Sequence, residues 1–150
     1  MNKSLIKKFS LKNKKAFIFG GCGLIGSEVV KIFIEAGAKV MVFDENIKYG
    51  KKLEKKYLRQ NFKFINTDIS DLKNIDNEFN NFIKKYGCPE IFVNCSYPAT
   101  GDWAKSTFDE NSLQSLKKNV DMHLNSYVWW SHKICKEMKK KKIKGRIVLF

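Results

Sequence analysis

Arginine is scarce in a strongly basic chain: of 29 Lys and Arg residues only Arg59 and Arg146 are arginine, against 15 acids, for a net charge of +14. Arginine is the side chain that reads bases and phosphates bidentately. The lysines are spread along the sequence, apart from Lys139–Lys142, where a long helix is expected to end and cations suit its dipole. The charge is read as surface composition, and nucleic acid is not expected as a primary partner. Long apolar runs are also missing. None approaches the ~18 residues of a membrane-spanning helix, so no membrane contact is expected. The opening MNKSLIKKFSLKNKK has no continuous apolar core and no small-residue cleavage site. Residues 1–13 are therefore read as a basic extension, and the chain as cytoplasmic. The four cysteines, Cys22, Cys88, Cys95 and Cys135, are 66, 7 and 40 residues apart, which fits neither a zinc site nor a disulfide framework. Reduced, mostly buried thiols are expected.

What is present is a repeated alternation within 150 residues, a length suited to one domain. Apolar, partly β-branched runs fall at Ala16–Phe19, Lys39–Phe43, Phe62–Ile65, Ile91–Asn94 and Arg146–Phe150. Helical patterns lie between them, so an α/β fold follows, with a parallel sheet covered on both faces. The first helix, Leu24–Glu35, places Ile25, Val29, Ile32 and Phe33 near one side and ends at Gly37. A second is expected over Ile47–Arg59, and a third from a Ser70 or Asp71 cap to Tyr86, with Gly87 and Pro89 breaking the chain after it. Two more are expected at Thr107–Lys117 and Val120–Lys142, beyond a loop at Ser96–Trp103.

The chemistry is concentrated in AFIFGGCGLIGSEVVKIFIEAGAKVMVFDEN, Ala16–Asn46. Gly21-Cys22-Gly23-Leu24-Ile25-Gly26 fits G-x-G-x-x-G directly after a strand and at the opening of a helix. A pyrophosphate reaches the backbone N–H groups and the positive helix end there only if no Cβ intervenes. Asp44 ends the second strand 18 residues after Gly26, close to the position of the acid that binds the adenosine ribose. Its carboxylate would repel a 2′-phosphate, so NAD(H) is expected in preference to NADP(H).

With these residues in place, the chain resembles the cofactor-binding part of a short-chain dehydrogenase/reductase, from about Lys14 to Phe150. The resemblance implies a Rossmann-type doubly wound sheet of order 3-2-1-4-5 that stops after the fifth strand, with helices on both faces. Asp68-Ile69 resembles the family's acid–apolar pair at the adenine. FVNCSYP stands where the family has Asn-Asn-Ala-Gly, with Asn94 matching the first Asn and Cys95, Ser96 and Tyr97 replacing the rest. By this comparison Gly20, Gly21, Gly23, Leu24, Ile25, Gly26, Asp44, Asp68, Ile69, Asn94 and Ser96 form the cofactor site. VDMHLNSYVWW resembles the helix that opens Asn-Leu-x-Gly, with His123 at the Asn whose family role is to hold a proton-relay water; Asn125 serves instead if the register slips by two. Trp129 and Trp130 point about 100° apart on a helix. At most one of them faces the core of this domain, and because the corresponding helix of the family forms subunit contacts, the resemblance implies a homo-oligomer through residues 120–142. The spacing Gly20-x-x-Gly23-x-x-Gly26 also suits the extended branch of nucleotide-sugar epimerases and dehydratases, but Asn94-Cys95-Ser96 does not. The closer resemblance is to bacterial oxidoreductases of flagellin modification and surface-polysaccharide sugar biosynthesis, which implies a sugar-related alcohol or ketone as substrate.

The family's catalytic serine and Tyr-x-x-x-Lys are not in these residues. Tyr49, Tyr57, Tyr86, Tyr97 and Tyr127 are followed four residues on by Leu53, Asn61, Glu90, Gly101 and Ser131. The 150 residues are expected to be the cofactor half of a longer oxidoreductase, inactive alone; a non-catalytic NAD-binding or oligomerisation module is the alternative.

Overall fold

The computed structural model describes residues 9–103 and 105–150, so residues 1–8 of the expected N-terminal extension lie outside the described residues. In chain order the elements are β1 (Lys15–Phe19), α1 (Leu24–Glu35), β2 (Lys39–Asp44), α2 (Ile47–Lys56), β3 (Phe62–Asn66), α3 (Ile75–Tyr86) and β4 (Ile91–Asn94). A 3₁₀ turn (Phe108–Glu110), α4 (Leu113–Val120), a wide π-helical turn (Asp121–Asn125), α5 (Ser126–Lys140) and β5 (Arg146–Leu149) follow. All the pairings are parallel, in the order β3-β2-β1-β4-β5, as the resemblance implied.

The sheet is covered on both faces because successive strand side chains point opposite ways. Phe17, Phe19, Phe43 and Phe92 meet Phe79 and Phe82 of α3 and Trp130, Ile134 and Met138 of α5. Ile18, Val40, Val42 and Val93 meet Val30 and Ile34 of α1 and Leu53 and Tyr57 on the α2 side. Each such fully buried apolar side chain contributes about 1.5–3 kcal/mol relative to exposure. Phe19 sits at the centre of the aromatic face, with Phe43, Phe92 and Trp130 rings 4.9–5.1 Å away.

Several helix expectations are corrected. In α1 the buried residues are Gly26, Val30 and Ile34, while Ile25 and Ile32 face solvent. The cause is Gly26: a Cβ there would overlap the Gly20 carbonyl, so this position, bare of side chain, must face the turn. The i, i+4, i+8 series that begins at Gly26 then becomes the core stripe. α2 stops at Lys56 instead of Arg59. α3 starts at Ile75 after Asn74 instead of at Ser70 or Asp71. Asp68 and Asp71 instead spend their carboxylates on turns, accepting from Ser70 N–H at 2.8 Å and Lys73 N–H at 3.1 Å. The expected Thr107–Lys117 helix is a 3₁₀ turn, a break and then α4, which Ser112 caps by accepting from Ser115 N–H at 3.0 Å. The expected Val120–Lys142 helix begins as the wide turn, whose loosened carbonyls at Met122 and His123 accept from Ser126 Oγ at 2.6 and 3.1 Å. Gly37 closes α1 with φ 89°, as its position suggested.

Candidate cofactor site

The carboxyl ends of the strands open onto a cleft of about 530 Å³, in the size range of small-molecule sites. From the β3 side to the β4 side it is lined by Thr67–Ser70, Asp44–Asn46, the turn after β1 and Cys95–Ala99. Of the expected site residues, Gly20, Gly23, Leu24, Ile25, Asp44, Asp68, Ile69 and Ser96 line it. Gly21, Gly26 and Asn94 stand behind it and shape its walls.

The glycines divide into two kinds. Gly20 has φ 68°, and a Cβ there would come within 2.5 Å of Ser96 N. A Cβ on Gly21 would meet the Val42 methyls at 2.7 Å, and one on Gly26 would overlap Gly20. These three are required by the protein's own packing. Gly23 is different: its φ is −79°, and a Cβ would meet only Gly20 O at 3.4 Å. Gly23 is also the N-cap of α1 and has no capping side chain, whereas α2 and α4 are capped by Asn46 and Ser112. The first amides of α1 therefore have no protein side-chain acceptor, and they carry the positive end of the helix dipole.

Asp44 reaches across to this turn. Its Oδ2 accepts from Cys22 N–H and its Oδ1 from Asn46 N–H, both at 2.9 Å. A carboxylate offers about four acceptor positions, so two remain for hydroxyls presented from the cleft. The backbone of Asp44 is held in turn by Asn66, whose Nδ2 donates to the Asp44 and Glu45 carbonyls at 3.3 and 3.2 Å. Burial pushes the Cys22 thiol up to about 12, with the charge of Asp44 second; it stays a neutral donor beside the carboxylate.

At the β3 end, Asp68 Oδ1 takes both Ser70 N–H and Ser70 Oγ, at 2.8 and 2.7 Å. The buried Ile69 offers its carbonyl to Trp130 Nε1 at 2.8 Å. At the β4 end, the fully buried Asn94 accepts from Ser96 N–H and Ser96 Oγ through one oxygen, at 3.1 and 2.6 Å. Its Nδ2 has no partner among the described residues. Asn119 fastens the following loop to α4, accepting from Thr100 N–H at 2.9 Å and donating to Thr100 Oγ1 at 2.7 Å.

Residues 14–150 match the short chain dehydrogenase family over nearly the whole described chain. The chain belongs to this family. It is an oxidoreductase family. The chain is 28% identical to the post-translational flagellin modification protein A of Campylobacter coli, over 87% of this chain and 52% of that protein. It is 28% identical to a sorbose reductase of Candida albicans, over 97% of this chain and 52% of the relative. The chain thus spans about half the length of these curated relatives. Among solved structures, a Leptospira borgpetersenii short chain dehydrogenase with bound NAD+ aligns at TM-score 0.78 and 24% identity, over 100% of this chain and 55% of the other. A gluconate 5-dehydrogenase from Burkholderia cenocepacia in complex with NADP and tartrate aligns at TM-score 0.79 and 17% identity, over 97% of this chain and 56% of the other. These two likenesses show the fold.

His123 is on the wide turn, its ring edge-on between Tyr97 at 4.9 Å and Tyr127 at 4.7 Å. Met122, its neighbour, lines the cleft, and His123 does not. Asn125 donates to Asp121 Oδ1 at 2.6 Å and belongs to a separate groove with Leu72 and Trp129. Sequence reasoning missed Cys22, Asn46, Thr67, Tyr97 and Met122 as lining residues. Cys22 carried a signal, since it lies inside the glycine motif; Asn46, Thr67 and Tyr97 occupy loops whose course depends on side-chain bonds, and Met122 is on the wide turn. Trp130 is buried and Trp129 is 43% exposed, which divides the adjacent pair as their helical angle requires. The four cysteines are free, but the expectation that most are buried is corrected: Cys22 is buried, Cys88 and Cys95 are half-buried and Cys135 is exposed. Among the described residues no helix is long and apolar enough to cross a membrane, and no cluster of His, Cys, Asp or Glu has the form of a metal site.

Proposed function

We propose that this chain is the NAD(H)-binding portion of a short-chain dehydrogenase that acts on a sugar or sugar-derived alcohol or ketone. Gly23 carries the reading: the packing does not require a glycine there, yet its bare Cα faces the cleft at the uncapped start of α1. That is the space a pyrophosphate needs for close approach to the backbone. Gly20, Gly21 and Gly26 hold the turn, Asp44 binds the ribose hydroxyls with its two spare acceptor positions, and Asp68 and Ile69 flank the adenine. Bound NAD(H) supplies the hydride acceptor or donor. Ser96 and Asn94 shape the wall on the side where the substrate carbon meets it. The names of the relatives, a flagellin modification protein and a sorbose reductase, support the substrate class. Exposed Leu124 on the wide turn and Val128 and Trp129 on α5 support self-association through this segment.

Titration of the chain with NAD+ and NADP+ tests the assignment. NAD+ binds more tightly, and Asp44→Ala narrows the difference by removing the charge that repels a 2′-phosphate. Unchanged discrimination in Asp44→Ala would remove the ribose role. If neither dinucleotide bound, the whole reading would fall. A module that binds NAD(H) without catalysis uses the same cleft; saturable binding with no oxidation of any polyol by the native gene product would favour it.

A further inference from the structure

The wall of the cleft beyond the glycine turn is held from behind. Ser96, which lines the cleft, has every polar group tied: its amide and hydroxyl donate to Asn94 Oδ1, and its carbonyl accepts the hydroxyl of Tyr127. The same hydroxyl lies 3.3 Å from the carbonyl oxygen of Phe150, after β5. Tyr127 is 7% exposed, at the start of α5, and His123 packs edge-on against its ring at 4.7 Å. One phenol thus spans from the loop after β4 to the end of β5, beside the backbone bond from Phe150 N–H to the Asn94 carbonyl at 3.1 Å that closes the ladder between these strands. Burial raises the Tyr127 pKa above the ordinary phenol value; the phenol remains protonated and donates.

The sheet order determines which part of a dinucleotide meets this wall. The loops after β3 and β2 lie at one end of the cleft, the glycine turn in the middle and the loop after β4 at the other end. With the adenosine half beside Asp44 and Asp68, the other half must extend to Cys95–Ala99. Tyr127 is remote from the adenosine end in this order and touches the far wall directly through Ser96.

We propose that Tyr127 is a positioning residue for the nicotinamide half of the dinucleotide: its hydroxyl holds the Ser96 carbonyl, and with it the wall against which the nicotinamide ring is placed. The inference rests on the dinucleotide reading above. A phenylalanine at 127 keeps the ring and its contact with His123 but frees the Ser96 carbonyl to move into the cleft.

The test compares two ligands on the same 150-residue chain, by calorimetric titration of the unaltered protein and Tyr127→Phe. NAD+ carries both halves, and ADP-ribose lacks the nicotinamide. The expected result is a loss of NAD+ affinity of roughly three- to tenfold in Tyr127→Phe, the size of one lost hydrogen bond, with ADP-ribose affinity unchanged. Partial unfolding would lower both affinities by one factor, so their ratio separates positioning from stability. Tyr127→Leu, which also removes the ring, shifts the ratio at least as far. Equal weakening of both ligands would make Tyr127 a general support and overturn the proposal, and so would an unchanged ratio. If the unaltered chain bound neither ligand, the dinucleotide reading itself would fail, an outcome distinct from both.

Discussion

The indole N–H of Trp130 donates to the carbonyl oxygen of Ile69 at 2.8 Å, and this bond ties α5 to the loop after β3. The ring also stacks on Phe82, with centroids 5.8 Å apart and planes 10° from parallel, and meets Phe19 edge-on. Trp130 therefore both fills the aromatic face of the core and satisfies a carbonyl of a buried residue in the cleft-lining loop. In Trp130→Phe the stack can persist, but the carbonyl loses its donor and a void opens. Urea unfolding should show a loss of about 2–4 kcal/mol. A loss below ~1 kcal/mol would mean that the loop finds another donor at little cost.

The glycine turn permits a sharper contrast. Gly26→Ala places a methyl against the Gly20 carbonyl, between two backbone segments that cannot both stay where they are. Its melting temperature should fall and dinucleotide binding should be lost with it. Gly23→Ala adds a methyl with only Gly20 O at 3.4 Å and an unstrained φ of −79°. The chain should fold with stability within ~1 kcal/mol of the unaltered protein, yet bind NAD+ at least tenfold more weakly. Thermal melting beside NAD+ titration separates the two. Unimpaired NAD+ binding in Gly23→Ala would remove the observation on which the proposed function rests.

The sheet was legible in the sequence because its core strands carry unbroken apolar runs, and Phe17-Ile18-Phe19 alone supplies both faces. Asp44 and the glycine turn could be placed beside one cleft because their positions follow from spacing along one βαβ unit. The α3 boundary was not legible: Ser70, Asp71 and Asn74 are all capable caps, and the choice depends on the turns that the Asp68 and Asp71 carboxylates close at Ser70 and Lys73. The face of α1 was misjudged because Ile25 and Ile32 are apolar, while the residue that sets the rotation, Gly26, has no side chain to signal it. The links from α5 to the cleft, Trp130 to Ile69 and Tyr127 to Ser96, span 61 and 31 residues. Neither pair has a sequence pattern that announces it.

Asn66 illustrates how an exposed residue can act on the site through another. Its amide bridges the Asp44 and Glu45 carbonyls and stiffens the loop that presents the Asp44 carboxylate. Asn66→Ala should change stability by less than ~1 kcal/mol, since the bonds are solvent-accessible. NAD+ affinity should fall by about two- to fivefold through the looser carboxylate. Calorimetric titration with NAD+ checks it, and an unaltered affinity would show that Asp44 is fixed by Cys22 and Asn46 alone.

The thiols give the pH dependence a definite sign. Burial pushes Cys22 up to about 12, with help from the Asp44 charge, and pushes Cys88 and Cys95 up to about 11. In the unfolded chain these groups ionise near the ordinary value of 9.0. Between those limits the unfolded state binds fewer protons than the folded one, so stability must fall as pH rises. The stabilisation from keeping these thiols neutral is complete below about pH 9 and is lost progressively toward about 11–12. Urea unfolding at a series of pH values should show this decline, and Cys22→Ala should flatten part of it. Maleimide labelling near pH 8 should reach the exposed Cys135 first and Cys22 last, because the thiolate is the reactive form and the buried thiol has almost none. Rapid labelling of Cys22 in the folded chain would show that the glycine turn opens far more readily than its bond to Asp44 implies.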